Sequence, residues 1–98
     1  MAGMQLRRYE VKPGELDAFV EIWRDLIAPR AKYGFSVRFA FLDDKASQFV
    51  WAVSHDGDFE AAEREYLESP ERNEVLGRFG DRIEAVHVSM VRVEIEPS

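Results

Sequence analysis

The stretch Phe35-Ser36-Val37-Arg38-Phe39-Ala40-Phe41-Leu42, followed across Asp43-Asp44-Lys45-Ala46-Ser47-Gln48 by Phe49-Val50-Trp51-Ala52-Val53-Ser54, decides the architecture of this chain. Phe35, Val37, Phe39 and Phe41 alternate along the first run, and Phe49, Trp51 and Val53 along the second, which is the period of a strand lying on a core. The short, Asp- and Ser-rich connection makes the two runs an antiparallel hairpin. Placing Leu42 opposite Gln48 sets Phe41 across from Phe49, Phe39 across from Trp51 and Arg38 across from Ala52; such aromatic cross-strand pairs contribute about 0.2 to 1 kcal/mol each. The other face carries Ala40, Leu42, Val50 and Ala52 among Ser36, Arg38 and Ser54. A solvated antiparallel face would be rich in Lys, Glu, Thr and Asn. Both faces of the hairpin are therefore expected to be covered.

Working outward, Met4 to Val11 is a strand closed by Lys12-Pro13-Gly14. Pro13 in a first turn, with Glu15 and Asp17 at the positive end of the dipole, starts a helix whose apolar stripe is Leu16, Phe19, Val20, Trp23, Leu26 and Ile27. Pro29 marks its last turn, Arg30 and Lys32 complement its negative end, and Gly34 supplies a left-handed stop. Beyond the hairpin, His55-Asp56-Gly57-Asp58 is a turn with Asp58 capping a helix that buries Phe59, Ala62 and Tyr66. Ser69-Pro70 restarts or redirects that helix, and Gly77 and Gly80 punctuate its end. The last strand is expected from about Glu84 to Ile95, ahead of Glu96-Pro97-Ser98. Its apolar residues change phase between Met90 and Val91, so either a bulge lies there or the strand passes from its own helices to a second layer. Strand, helix, strand, strand, helix, strand in this order predicts the ferredoxin-like βαββαβ fold. That fold is an α+β arrangement of a four-stranded antiparallel sheet with two helices on one face. The opposite sheet face is left bare for a partner.

The 98 residues make a single domain spanning 1–98, and 46% hydrophobic with 33% charged residues is the composition of a folded globule. A net charge of −6 and a basic cluster no larger than Arg7-Arg8 argue against nucleic acid and anionic membranes as partners. The absence of cysteine removes disulfides and thiolate chemistry and fits a cytoplasmic protein. No basic stretch leads into an apolar one near Met1, and no apolar run approaches the ~20 residues that cross a bilayer. His55 and His87 have no metal-ligand spacing, and neither a phosphate loop nor a Ser-His-Asp order is present. No metal and no cofactor are expected.

Four residues are candidates for a cavity between two stacked sheets. Arg38 points away from the aromatic face and there needs a carboxylate, water or an anionic ligand, unless it reaches solvent from an edge. His87 stands out of phase with Val86 and Val88 and shares its face with Ser89, where an imidazole serves as a general base or as a satisfied interface group. Tyr9, at the end of the first strand, either offers its hydroxyl at the cavity mouth or packs against the helix start. His55 reads as a turn residue, Trp23 and Trp51 as core, and Glu60, Glu63, Glu65 and Glu68 with Arg64 as a solvated helix face.

Arg8-Tyr9 with Lys12-Pro13-Gly14, Phe19, Trp23, Tyr33-Gly34-Phe35, Phe49-Val50-Trp51, Tyr66 and Ser69-Pro70-Glu71 resembles the NIPSNAP family over about Leu6 to Arg72. The resemblance implies a dimeric α/β barrel, a homodimer in which two ferredoxin-like sheets pack through their helix-free faces. The wider superfamily includes cofactor-independent monooxygenases, haem-degrading enzymes and isomerising enzymes. The chain departs from the family at the end of the third strand, where Ser54-His55 replaces a frequent aromatic. Haem breakdown is disfavoured because neither second-half helix carries a histidine. Two function classes remain. One is a barrel binding a small apolar organic ligand, in its enzymatic form a cofactor-independent monooxygenase or isomerase with His87 as base and Arg38 or Tyr9 steadying an oxyanion. The other is a non-enzymatic binding or interaction module with a filled barrel.

Overall fold

The computed structural model describes residues 3–95. Its elements are β1 (Gly3–Val11), α1 (Leu16–Arg24), α2 (Ile27–Lys32), β2 (Phe35–Asp43), β3 (Gln48–His55), α3 (Phe59–Leu67), α4 (Pro70–Arg78) and β4 (Ile83–Val91). The strands form one antiparallel sheet in the order β2-β3-β1-β4. This is the ferredoxin-like α+β fold expected from the order of elements. A shortest extent of 20 Å fits one sheet and one helical layer, and the described residues form no third layer on the opposite face.

The helical layer is bound to the sheet by aromatic contacts. Trp23 meets Phe49 at 4.8 Å and Trp51 at 5.4 Å, while Phe19 sits among Tyr9, Phe49 and Phe79 at 4.8 to 5.4 Å. Tilted and edge-on pairs of this kind add roughly 0.5 to 1.5 kcal/mol each beyond the area they bury. Asp58 caps α3 by accepting from the Ala61 N–H at 3.0 Å, and Ser69 caps α4 by accepting from the Arg72 N–H at 3.2 Å, with Pro70 as first helical residue. Gly34 adopts φ +89° before β2, as its stop position requires.

Four expectations are corrected. Pro13 and Gly14 lie in a turn ahead of α1, Gly14 at φ +84°, so the helix begins at Leu16. The single helix through Pro29 is two segments. Its ring removes an N–H and crowds the carbonyl four residues back, so the chain tightens at Asp25 and Leu26, whose N–H groups bond only three residues back, to Ile22 and Trp23.

The hairpin register differs by one. Phe41 faces Val50, Ala40 faces Trp51 and Phe39 faces Ala52, with the irregularity between Val37 and Phe39 absorbing Arg38 as an extra residue. The bulge reverses the phase of β2, so Phe35 and Val37 lie on the helix side and Phe39 and Phe41 on the helix-free side. Phe41 is consequently 55% exposed.

Finally, β4 ends at Val91 rather than Ile95. Met90 and Val91 pair regularly with Gln5 and Met4, so no bulge lies between them, and the one shift in this ladder is at Glu10/Val11. Regular alternation alone carries the apolar residues from the helix side at Met90 to the helix-free side at Val91. Glu96-Pro97-Ser98 lies outside the described residues.

Candidate functional site

Strand β1 runs down the middle of the sheet, and its helix-side residues are unusual. Gln5, Arg7 and Tyr9 alternate toward the helical layer, across from Val53, Trp51 and Phe49 of β3 on one flank and Met90, Val88 and Val86 of β4 on the other. The β3 flank is buried beneath α1, but the β4 flank is open. Val86, Val88 and Met90 are 44%, 47% and 57% exposed although they point to the side where the helices lie. Here the sheet has a two-row floor, polar along β1 and apolar along β4.

Helix α3 forms the facing wall. Phe59, Ala62, Glu63 and Tyr66 fall on one stripe, so Glu63 belongs to the inward face rather than to the solvated acidic face expected for it. Gln5 and Met90 from the floor, with Phe59, Glu60, Glu63 and Arg64 from the wall, line a groove of about 330 Å³. A larger hollow of about 450 Å³ at the far end of β1 is bounded by turn, loop and helix-start residues, among them Pro13, Gly14, Asp17, Asp44, Lys45 and Ser47.

A polar network ties floor to wall. Arg7 donates from Nε to the Tyr9 hydroxyl and from Nη1 to Gln5 Oε1, both at 2.8 Å, and Nη1 lies 3.8 Å from Glu63 Oε2. Glu63 is held more closely by Arg30, whose Nη1 donates to Oε1 at 2.6 Å. Arg30 is only 1% exposed, with its guanidinium carbon 3.8 Å from the Tyr66 ring centroid, 4.7 Å from that of Phe35 and 5.4 Å from that of Trp51. Its Nε has no hydrogen-bonding partner. Burial pulls the Arg30 guanidinium below the usual arginine range, against the opposing pull of Tyr66 and Glu63, and burial pushes the Tyr66 hydroxyl up against the opposing field of Arg30.

The four residues singled out from the sequence do not form one cluster within this protomer. Tyr9 is buried on the helix side, its hydroxyl engaged by Arg7. His87 and Ser89 lie on the helix-free face, opposite Arg8 and Leu6 of β1. His87 Nε2 is 2.7 Å from Glu10 Oε2, and both side chains are about half exposed. Arg38, at the β2 bulge, reaches Ser54 Oγ at 3.4 Å on that same face. β2 and β4 are opposite edges of the sheet, however, three strand spacings or about 14 Å apart. His55 is a local tie. Its Nδ1 accepts from the Gly57 N–H at 2.9 Å, so Nε2 carries the proton and donates to the Tyr33 carbonyl at 3.1 Å.

Sequence reasoning did not single out Arg7, Arg30 or Glu63. Arg30 falls seven residues after Trp23 and four after Leu26, on the apolar stripe itself. An arginine in that phase, with Glu63 one residue after Ala62 and three before Tyr66, is the signal of an inward ion pair. Among the described residues no group of three or more His, Cys, Asp or Glu is placed to hold a metal ion, and no helix is long and apolar enough to cross a membrane.

No protein-family model matches the chain, and no curated protein matches it. Solved structures do share its fold. A NIPSNAP family protein from Agrobacterium tumefaciens superposes with a TM-score of 0.83 at 16% identity, covering 99% of this chain and 98% of that one. An uncharacterized NIPSNAP domain protein from Burkholderia xenovorans gives 0.80 at 17% identity with both chains fully covered. A protein from Bacteroides thetaiotaomicron, provisionally described as an antibiotic biosynthesis monooxygenase, gives 0.78 at 14% identity over 97% of this chain and 91% of that one. At these identities the fold is what the chain shares with them.

Proposed function

We propose that this protein is a homodimer, joined through its helix-free sheet face, that binds a small, largely apolar organic molecule in the groove between β4 and α3. The observation that carries the binding role is the two-row floor. Val86, Val88 and Met90 offer uncovered apolar surface beside polar groups of Gln5, Arg7 and Tyr9 that are already ordered by one another. Apolar walls with a few fixed polar groups, in a space of about 300 Å³ or more, are the usual features of a small-molecule site. The assembly rests on the other face, where Phe39 and Phe41 stack at 6.1 Å beside Val50 and Ala52. A second sheet laid there would cover that surface.

A second reading places chemistry between the two sheets, and the contact of 2.7 Å between His87 and Glu10 favours it. A carboxylate that orients an imidazole makes it a general base. Such a base takes a carbon-bound proton and leaves an enolate. Return of the proton at a neighbouring carbon is isomerisation, and reaction of the enolate with dioxygen is cofactor-independent oxygenation. Ser89 shares the face of His87, and a second protomer is the means by which Arg38 comes within reach of it.

One experiment separates these readings. Amide and side-chain NMR of the labelled protein is followed during titration with a library of small aromatic compounds. Shifts confined to Gln5, Phe59, Glu63 and Met90 support the groove. Shifts at Ser36, His87 and Ser89 move the ligand between the sheets and overturn the groove assignment. No saturable shift across the library contradicts both and leaves an interaction module with a filled barrel.

A further inference from the structure

We infer that the molecule taken by the groove is an organic monoanion, and that Arg7 binds its acidic group while Val86, Val88 and Met90 receive its apolar body; the inference rests on the groove being the ligand site. It follows from the balance of charge in the network. Two guanidiniums converge on one carboxylate, and Glu63 is committed to Arg30, at 2.6 Å against 3.8 Å for Arg7. Arg30 is walled in by rings and reaches no solvent. Arg7 is 14% exposed at its side chain, and its hydrogen-bonding partners, Gln5 and the Tyr9 hydroxyl, are neutral. One positive charge is thus left in excess at the centre of the floor, largely withdrawn from water, in a chain whose net charge is −6. At the rim, Glu60 and Arg64 stand one helical turn apart and offset each other.

The geometry also favours a planar acid over a point charge. Tyr9 and Gln5 fix the guanidinium plane by accepting from Nε and Nη1, and Nη2 with the remaining Nη1 hydrogen, whose nitrogen lies 3.8 Å from Glu63 Oε2, would present a fork to the acid. A carboxylate accepts from such a fork through both oxygens. Arg7 lies directly across from Val88, so an acid held there directs its apolar chain over β4 and toward Met90.

The test uses two probes that differ in charge and little else, 3-phenylpropionate and 3-phenyl-1-propanol, titrated into the 98-residue protein and followed at the Arg7 Nε–H and Met90 methyl resonances. The acid is expected to saturate both signals with an affinity at least about tenfold above that of the alcohol, as a charge-assisted pair should give. Arg7→Gln is expected to bring the acid down to the level of the alcohol, with Trp23 and Trp51 emission reporting that it still folds. Should Arg7→Gln not fold, Arg7→Lys keeps the charge without the fork and is expected to lose most of the preference. Equal binding of acid and alcohol in the groove overturns the anion inference and leaves the groove standing. Binding of the acid in the groove with the Arg7 signal unmoved overturns the role of Arg7. No perturbation of the groove by either probe overturns the groove assignment and this inference with it.

Discussion

Arg30 shows how a single side chain joins the fold to the site. It lies on the inner stripe of its helix, stacked on Tyr66, Phe35 and Trp51, and its ionic partner among the described residues is Glu63 on the opposite wall. Removing one partner of a buried ion pair leaves the other charge desolvated and costs about 3 to 5 kcal/mol. Arg7 stands close enough to share Glu63, which puts Arg30→Ala at the lower end, about 3 kcal/mol by urea denaturation. Arg30→Lys should recover less than half of that, because an ammonium cannot lie flat among three rings. A loss below about 1 kcal/mol for Arg30→Ala would mean that the stack contributes nothing.

Tyr66 adds a pH dependence whose sign follows from its burial. Desolvation raises its folded pKa above that of an exposed tyrosine, and Arg30 only partly opposes this. A group raised in the folded state contributes stability that is complete below its unfolded pKa, near 10, and is lost as pH rises through the folded value. Ultraviolet titration should therefore find one of the three tyrosines ionising last, together with unfolding, and Tyr66→Phe should abolish that late step. Three tyrosines titrating together in a folded chain would contradict it.

At the scale of elements, the junction of α2, β2 and β3 is the tightest point described. Gly34 at φ +89° leaves no room for a side chain, since an added Cβ would sit 2.7 Å from His55 Nε2, the atom that donates to the Tyr33 carbonyl. Gly34→Ala combines a left-handed backbone penalty with displacement of that ring and should cost more than about 1 kcal/mol in thermal or urea unfolding. A neutral substitution would show that the loop relaxes freely.

Much of this level was legible in the sequence, for local reasons. Asp58 and Ser69 cap the helices they precede, Gly34 stops where a positive φ is needed, and the strand order follows from the order of elements. The bulge at Arg38 was not legible, because alternation of Phe35, Val37, Phe39 and Phe41 is what an unbulged strand would also show. Its existence is settled by pairing with β3, a non-local interaction. The break ahead of Pro29 was marked by the proline itself, but an unbroken apolar stripe through Leu26 and Ile27 masked it. The candidate site suffered most. Arg38, His87 and Ser89 were assigned to the face they occupy, while Tyr9 was separated from them by the pleat, and Arg30 was read as a helix-end charge and Glu63 as solvated surface, with Arg7 given no role beyond the Arg7-Arg8 dipeptide.

For the molecule as a whole, the two faces of one sheet are assigned different work. The helix-bearing face closes most of the core and leaves an open edge over β4, where the proposed ligand would lie. The helix-free face carries Phe39 and Phe41 beside Val50 and Ala52; the latter two are already buried within the protomer, whereas Phe41 is more than half exposed at 55%. A charge placed at Phe41 would be solvated in a monomer and buried without a partner between two sheets, where it costs several kcal/mol. Light scattering at micromolar concentration, comparing the natural chain with Phe41→Asp, tests this division directly. The natural chain should have twice the 11.3 kDa chain mass and Phe41→Asp the chain mass alone, still folded. A natural chain of 11.3 kDa, or a Phe41→Asp variant that remains a dimer, would contradict it.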